Sequence, residues 1–534
     1  MKVESIFGSR SAKWMAVALV LLVLLSPASG TTQSKPFRLE ETTIADIHAA
    51  YKSGQLTAHQ LVQLYLDRIA AYDKKGPKIN SIITLNPKAL EEADRLDAAF
   101  KTSGLVGPLH GIPVALKDMI DAKGMPTTQG SVLFKNYYPE KDAFVVEKLE
   151  KAGAIILAKV TMAEFATGDT YGSLFGETRN PYDLERTVGG SSGGSGASTN
   201  ANFATIAVGQ EGYASIRRPS AWNSIVGMRP TAGLVSGSGV VGGMGEVGSL
   251  GPMARTVSDL AKLLDVMVGY DSADPKTALG VGNIPSSYTQ FLDRSGLKGA
   301  RIGVIREPMG LGSEPQSEDF RKVTEVFDKA IGEMKTAGAE VVDPITIPNL
   351  KKLLATRAGK PGDGEGSNVY FGNNPTAPFK SSKEMRESPD YQKVFPAARM
   401  RANVAAPGAD FQTSPTRYYE YLLARQELMI SVMKVMADNR LDAIVYKTVE
   451  HLPTLIADGI KPPYPNMKGA PHLNTFLVYV PVITVPAGFS KEKLPVGITF
   501  QGRPYTEGTL IKLAYAFEQA THHRIPPLLK ASSQ

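Results

Sequence analysis

Apolar residues at helical spacing predict several helices near the start of the chain. A first helix is predicted over residues 43–52, with Gly54 just past its end, where glycine is favoured. A second begins at Thr57, whose capping box with Gln60 precedes apolar positions three and four residues apart. A third helix is predicted over residues 87–101.

Further along, short apolar runs alternate with helical stretches, and glycine is dense between them. The predicted strands are IPVAL, AIILAK, ATIAVG, RIGVI, AEVVDP, DAIVY, VPVITVP and VGITFQG. Long helices are predicted over residues 318–337, 416–439 and 507–521. This alternation of strands and helices predicts an α/β fold built around one sheet.

Residues 356–415 differ from the rest, being rich in glycine, proline, asparagine and charge. The pattern predicts a long stretch without regular structure. Such a stretch is either a functional lid or mobile insertion, or a surface loop without function.

The first thirty residues have the pattern of a secretory signal. Three positive charges in residues 1–13 precede an apolar run from Trp14 to Leu25, and small residues lead up to Gly30. We expect cleavage after Gly30, a periplasmic or secreted protein, and no stable membrane insertion after cleavage. The alternative is an uncleaved anchor, for which the apolar run is short. Residues 31–36 are a predicted polar leader, and residues 37–530 form the predicted domain.

Composition excludes several kinds of chemistry. The 534 residues include no cysteine, so disulfides, thiolate metal sites and cysteine nucleophiles are excluded. The seven histidines are scattered without metal-ligand spacing, so we expect no metal and no cofactor. The net charge of +7 is spread along the chain, with no basic arm, so nucleic acid is not an expected partner.

The segment of residues 109–131 places a lysine where lysine is rare. The apolar run IPVAL leads directly to Lys117, at the end of a predicted buried strand. Ammonium groups are seldom buried without a partner. The residue either reaches the surface, pairs with Asp118, or has a chemical role.

The glycine-serine segment GGSSGGSGA, residues 189–197, allows close backbone approaches that side chains would forbid. It also matches G-x-S-x-G centred on Ser192, the nucleophile elbow of α/β-hydrolases, which would make the protein a serine esterase. That elbow needs a later histidine, and none follows before His451.

The segment of residues 209–231 predicts a strand that runs into a tight turn, with Ser215 just past it. Successive backbone N–H groups at such a turn bind anions. A serine at this position would have oxyanion donors beside it.

Together, the lysine, the glycine-serine segment and a second serine 24 residues beyond Ser191 resemble the amidase signature family. Similar sequence surrounds them, including GPLHGIPVALKD, NPYDLERTVGGSSGG, VGMRPT and PVGITFQGRP. The resemblance implies one domain with a central mixed sheet covered by helices on both faces. It also implies a signature core at about 105–270 and a variable insertion at about 350–415.

The resemblance further implies a Ser-Ser-Lys triad that hydrolyses the C–N bond of a small-molecule amide. Lys117 would be the base, Ser191 the bridging serine after a cis peptide, and Ser215 the nucleophile. The implied oxyanion donors are the backbone N–H groups of Gly212, Tyr213, Ala214 and Ser215. Lysine can act as a base near neutral pH only if burial lowers its pKa by several units.

One departure from the family lies just before the nucleophile. The family usually has an aspartate, a threonine or similar residue, and two glycines, where this chain has Glu211, Gly212, Tyr213 and Ala214. Tyrosine and alanine do not readily take positive φ. Either the turn needs no positive φ there, or the oxyanion hole is altered. A separate expectation is that Tyr213 enters the pocket and narrows it.

Two further interpretations of the same residues stay open. The altered turn is compatible with a binding protein of low activity on an amidase fold. The signature is also shared with the glutamine-hydrolysing subunit of the tRNA-dependent amidotransferase, against which the predicted signal argues. The oligomeric state is likewise open, with a homodimer as one option.

Overall fold

The computed structural model describes Met1 and residues 37–243, 245, 248–356, 364–404, 415–462, 464, 468–471 and 473–530. Apart from Met1, the predicted signal peptide and polar leader lie outside the described residues. By its contacts the chain divides into residues 1–38 and residues 39–534, and every helix and strand below belongs to the second unit.

A mixed sheet of eleven strands is the centre of the described fold. Its order is β1-β3-β2-β8-β10-β9-β14-β15-β13-β11-β12. The strands are β1 Ile82–Leu85, β2 Pro113–Lys117, β3 Ile155–Val160, β8 Ile206–Glu211, β9 Val226–Arg229, β10 Ser249–Ala254, β11 Arg301–Ile305, β12 Glu340–Ile345, β13 Ala443–Lys447, β14 Val482–Phe489 and β15 Pro495–Gln501. Two small hairpins add β4 Tyr171–Gly172, β5 Gly176–Glu177, β6 Arg179–Asn180 and β7 Asp183–Thr187.

Helices flank this sheet. They are α1 Ile44–Lys52, α2 Ala58–Tyr72, α3 Ala89–Ser103, α4 Phe144–Lys151, α5 Gly193–Asn200, α6 Arg217–Trp222, α7 Val257–Met267, α8 Glu318–Thr336, α9 Leu350–Ala355, α10 Gly364–Asn373, α11 Ser382–Glu387, α12 Pro396–Val404, α13 Pro415–Asp438, α14 Ile456–Gly459, α15 Leu473–Phe476 and α16 Glu507–Thr521. The fold class expected from the sequence, one α/β domain with a central mixed sheet and flanking helices, is therefore confirmed. Among the described residues, no helix has both the length and the apolar content needed to cross a bilayer.

Local sequence signals explain where the first helices begin and end. Thr43 accepts a hydrogen bond from the backbone of Asp46 at the start of α1, and Gly54 follows with φ of 71°. The predicted capping box of Thr57 and Gln60 is present at the start of α2. Side-chain caps satisfy N–H groups that have no partner within the helix.

The prediction that residues 356–415 lack regular structure was wrong. The described part of this insertion contains α10, α11 and α12. Their glycine and proline content hid them from an analysis of apolar spacing. Contacts with distant residues support them instead, because Phe371 of α10 stacks on Phe134 with ring centroids 5.9 Å apart.

The sheet brings together the ends of two parallel strands that carry the candidate chemistry. Strand β2 pairs in parallel with both β3 and β8, which places it inside the sheet. Every residue of β2 and of β8 is buried. Side chains that follow these strand ends are therefore held by a rigid scaffold.

Candidate active site

Lys117, the last residue of β2, is completely buried and makes short polar contacts. Its Nζ lies 2.7 Å from Ser191 Oγ and 3.1 Å from the carbonyl oxygen of Gln210. The alternative that this lysine reaches the surface is wrong, since its exposed fraction is 0%. Pairing with Asp118 is also wrong, because Asp118 Oδ1 lies 3.1 Å from Lys159 Nζ.

Burial changes the acid–base chemistry of Lys117. Removal from water lowers its pKa from 10.5 to about 7, and the negative charge of Glu211 partly opposes this. Desolvation disfavours the charged form of an amine, which explains the direction. A substantial fraction of this amine is therefore neutral near pH 7.

The glycine-serine segment packs so closely that side chains could not replace its glycines. A Cβ on Gly190 would lie 2.0 Å from the carbonyl oxygen of Gly168, and one on Gly194 would lie 2.3 Å from that of Thr161. The Gly190–Ser191 peptide bond is cis. The Ser191 carbonyl accepts a hydrogen bond from the backbone of Ala163 at 3.0 Å, so the segment is tied to the chain just after β3.

Ser192 has its hydroxyl bound to the main chain of β8. The Oγ donates to the carbonyl of Gln210 at 3.1 Å and accepts from the N–H of the same residue at 3.2 Å. The residue is fully buried at the start of α5. These bonds give Ser192 a structural role, unlike the exposed nucleophile of an esterase elbow.

Ser215 lies in the turn between β8 and α6, with an exposed fraction of 6%. Its carbonyl accepts a hydrogen bond of 3.1 Å from the backbone N–H of Ser192, the residue after Ser191. The turn and the glycine-serine segment are thus joined directly. The three residues singled out in the sequence therefore lie close together. Lys117 contacts Ser191 directly, and Ser215 is hydrogen-bonded to Ser192, the next residue along the chain.

A buried ion pair shapes the turn that contains Ser215. Glu211 accepts hydrogen bonds from the backbone N–H groups of Ile216 and Arg217 at 2.8 and 2.9 Å. The guanidinium of Arg217 donates to the same carboxylate at 2.8 Å and also to the carbonyl of Tyr213. The buried carboxylate of Glu211 therefore holds the two ends of the turn together.

The departure from the family pattern just before Ser215 leaves the backbone of the turn ordinary. None of the four residues 212–215 has a positive φ angle. The first of the two outcomes considered from the sequence is correct, because the turn needs no positive φ. Within the described residues, the N–H groups of Gly212, Ala214 and Ser215 have no acceptor.

Sequence reasoning missed two contributors to this site. Gln210 contacts Lys117 with its backbone and its side chain, and Arg217 fixes the turn through Glu211. A signal existed in the alternation of strand residues, since consecutive residues of β8 point to opposite faces. The described ranges contain no group of three histidine, aspartate or glutamate side chains that could hold a metal ion.

Comparison with known proteins places this arrangement in a class. The sequence profile of the amidase family matches residues 60–511. A probable amidase of Arabidopsis thaliana is 33% identical over 544 aligned residues, which cover 96% of each chain. A glutamyl-tRNA(Gln) amidotransferase chain of a Cyanothece species is 34% identical, over 91% of this chain and all of that one. The native peptide amidase of Stenotrophomonas maltophilia superposes with a TM-score of 0.81 at 33% identity, over 93% of this chain and all of the other.

The chain therefore belongs to the amidase signature family. It is a hydrolase of that family, whose members act on carbon–nitrogen bonds.

Proposed function

We propose that this protein hydrolyses a carboxamide through an acyl-enzyme on Ser215, with Ser191 as the bridging hydroxyl and Lys117 as the base. The observation that carries the proposal is the 2.7 Å contact between the buried amine of Lys117 and the Ser191 hydroxyl. No histidine is needed in this arrangement. The amine accepts a proton along two hydroxyls in succession.

The proposed reaction has two stages, acylation of Ser215 and hydrolysis of the acyl-enzyme. Ser215 attacks the amide carbonyl while its proton passes to Ser191 and the proton of Ser191 passes to neutral Lys117. The backbone N–H groups of residues 212–215 stabilise the oxyanion. The protonated lysine then returns a proton, through Ser191, to the leaving amine, and water hydrolyses the ester by the reverse path.

The free energy needed to neutralise the lysine comes from its burial. Lowering an amine pKa from 10.5 to about 7 corresponds to a cost of the charged form on the order of 5 kcal/mol. That cost arises on folding, so it is not added to the reaction barrier at neutral pH. The protein thus keeps a base that has a substantial neutral fraction near pH 7.

Active-site labelling and substitution test this function. A fluorophosphonate should label Ser215, and Ser215→Ala should abolish both labelling and hydrolysis of a panel of peptide amides, aryl amides, aliphatic amides and esters. Ser195→Ala is the matched control, because its hydroxyl donates to the Val208 carbonyl at 3.2 Å and has no assigned chemical role. Full turnover by Ser215→Ala contradicts the proposal, and label on Ser192 supports an esterase instead. A chain that neither labels nor turns over any substrate is a binding protein.

A second candidate is hydrolysis of glutamine within a tRNA-dependent amidotransferase. The similarity to the Cyanothece amidotransferase chain favours it. Purification of the natural complex distinguishes the two, because this candidate requires copurifying partner proteins and glutamine as the preferred amide. A chain that is active alone on other amides, without nucleic acid, supports the leading proposal.

We also propose that the protein is exported and that residues 1–30 are removed. The apolar run Trp14 to Leu25 and the small residues that follow it support this. Fractionation of expressing cells followed by N-terminal sequencing tests it, with Thr31 expected as the first residue. The mass of the purified protein in solution decides whether it is a homodimer, the option left open above.

A further inference from the structure

Gln210 contacts the proposed catalytic lysine at two points. Its carbonyl oxygen lies 3.1 Å from Lys117 Nζ and its side-chain Oε1 lies 3.3 Å from the same atom. With Ser191 Oγ at 2.7 Å, the amine has three polar partners within the part of the chain that the structure describes. Two of these three belong to one residue.

The number of partners matches the number of sites on the nitrogen. A charged ammonium has three N–H donors, and a neutral amine has two N–H donors and one lone pair. Ser191 Oγ can donate as well as accept, whereas both oxygens of Gln210 only accept. When the amine is neutral, its two N–H groups therefore donate to Gln210, and the lone pair faces the Ser191 hydroxyl.

We propose that Gln210 is a positioning residue, whose two oxygens hold both N–H groups of the neutral lysine so that its lone pair points at Ser191. This inference rests on the proposed role of Lys117 as the base. The same three partners accept from the ammonium after proton transfer. The lysine can thus change protonation state without moving its heavy atoms.

Strand pairing fixes the backbone of Gln210. Its N–H donates to Ser192 Oγ at 3.2 Å, and the residue pairs with Leu250 of β10. The backbone oxygen is therefore retained in any variant at this position. The side-chain oxygen is the one acceptor that a substitution removes.

The surroundings of the amide leave room for a glutamine. Its exposed fraction is 8%, and a Cβ built on Gly248 would lie 3.0 Å from Gln210 Nε2. The charged group that influences Lys117 from this strand is Glu211, whose carboxylate is bound to Arg217. Gln210 thus presents a neutral acceptor to the amine, while the carboxylate of the adjacent Glu211 pairs with Arg217.

Two substitutions test the inference through the pH profile of kcat/KM. Gln210→Met keeps the length of the side chain and removes the oxygen. We expect kcat to fall about tenfold or more with little change in KM. We also expect the acid limb, the fall in kcat/KM at low pH as the lysine is protonated, to move to lower pH, because an acceptor for the ammonium is lost. Gln210→Glu keeps the shape and adds a negative charge. We expect its acid limb to move up by about one pH unit or more, with activity partly recovered at high pH.

Thermal unfolding of each variant separates this role from general loss of structure. If activity falls in both variants but the acid limb of kcat/KM stays at the same pH as in the wild type, the positioning role is overturned. If Gln210→Met does not fold, the upward shift in Gln210→Glu decides alone. Lys117→Met distinguishes failure of the proposed function from failure of the role of Gln210. Full activity in that variant overturns the proposed function, whereas inactivity together with unshifted limbs at Gln210 overturns this inference alone.

Discussion

The signature core and the insertion differ in how their residues are held. In the core, Lys117, Ser191 and Ser215 lie at or just beyond the ends of buried elements, and hydrogen bonds join their segments. The insertion at 350–415 is attached at its start by three leucines of α9, which pack in a hydrophobic cluster with residues of β11, β12 and β13. Further along, aromatic rings and hydroxyls attach it. The proposed chemistry therefore depends on the central strands, whereas Tyr370 and Phe395 of the insertion contact segments outside the central sheet.

The insertion contacts the loop that leaves the proposed catalytic lysine. Tyr370 of α10 donates to the carboxylate of Asp121, four residues after Lys117, with 2.9 Å to each oxygen. Its hydroxyl also lies 3.0 Å from that of Tyr137. At a second point, Glu164 accepts from the backbone of Phe395 at 2.8 Å. Variants in the two regions should therefore differ in both size and kind of effect.

The largest effect is expected for the proposed reacting groups of the core. Lys117→Met and Ser215→Ala should each lower kcat/KM by at least about 10³-fold, because removing one member disables the whole relay. Single-turnover hydrolysis of the best amide of the panel measures this. The matched insertion variant, Phe371→Leu, should stay within a few-fold of wild type. Equal losses in core and insertion would remove the distinction between them.

A large effect is also expected for the ion pair inside the turn. Glu211→Gln should lower the free energy of unfolding by about 3–5 kcal/mol, because it leaves the buried guanidinium of Arg217 without its counter-charge. Chemical denaturation measures this. Glu325→Gln is the control, since its ion pair with Arg321 is exposed at the surface and should contribute little. A loss at Glu211 no larger than at Glu325 would show that the pair does not hold the turn.

The pH dependence of stability should show the burial of Lys117. Its pKa is about 7 in the folded protein and near 10.5 when unfolded, so the unfolded state binds more protons between these values. The penalty for burying the charge is complete below pH 7 and disappears as the pH rises towards 10.5. Compared with Lys117→Met, the wild type should gain stability over this range, up to several kcal/mol. Parallel stability curves for the two proteins would contradict a depressed lysine pKa.

The smallest effect is expected where the insertion meets the core. Burial raises the pKa of Asp121 to about 7, while the hydrogen bond from Tyr370 opposes this rise by stabilising the carboxylate. A raised carboxyl pKa means that stability falls as pH rises from about 4 through 7. Tyr370→Phe removes a donor to the charged form and should cost about 1–3 kcal/mol.

That cost should be larger at pH 8 than at pH 5, because Asp121 is mostly ionised only at the higher pH. Limited proteolysis within the insertion measures it, since local opening exposes cleavage sites. Tyr419→Phe is the matched control, on an exposed position of α13. Cleavage that is equally fast at both pH values would contradict the link to Asp121.

Much of the core could be predicted because its signals are local. The apolar run before Lys117 indicated β2, and helix α16 has the bounds that its spacing predicted. Glycines that tolerate no Cβ marked the segment around Ser191. The convergence of Ser215 with that segment was supplied by the family resemblance rather than by spacing.

The insertion and the partners of the lysine could not be predicted in the same way. Tyr370 and Asp121 are 249 residues apart, and nothing near either residue indicates the contact. Gln210 is one polar residue at the end of an apolar strand, and its role depends on strand β2 lying beside it. Such contacts are properties of the tertiary structure.

Strand β8 pairs with β10 through six consecutive residue pairs, from Ile206–Ala254 to Glu211–Ser249. Adding or deleting one residue would turn every following side chain to the other face of the sheet. The Gln210 side chain would then no longer contact Lys117, and Glu211 would no longer contact Arg217. Length variation among descendants of this gene should therefore be excluded from β8. It should be concentrated in the part of the insertion that contains α10 to α12, which can lengthen or shorten without disturbing the proposed reacting groups.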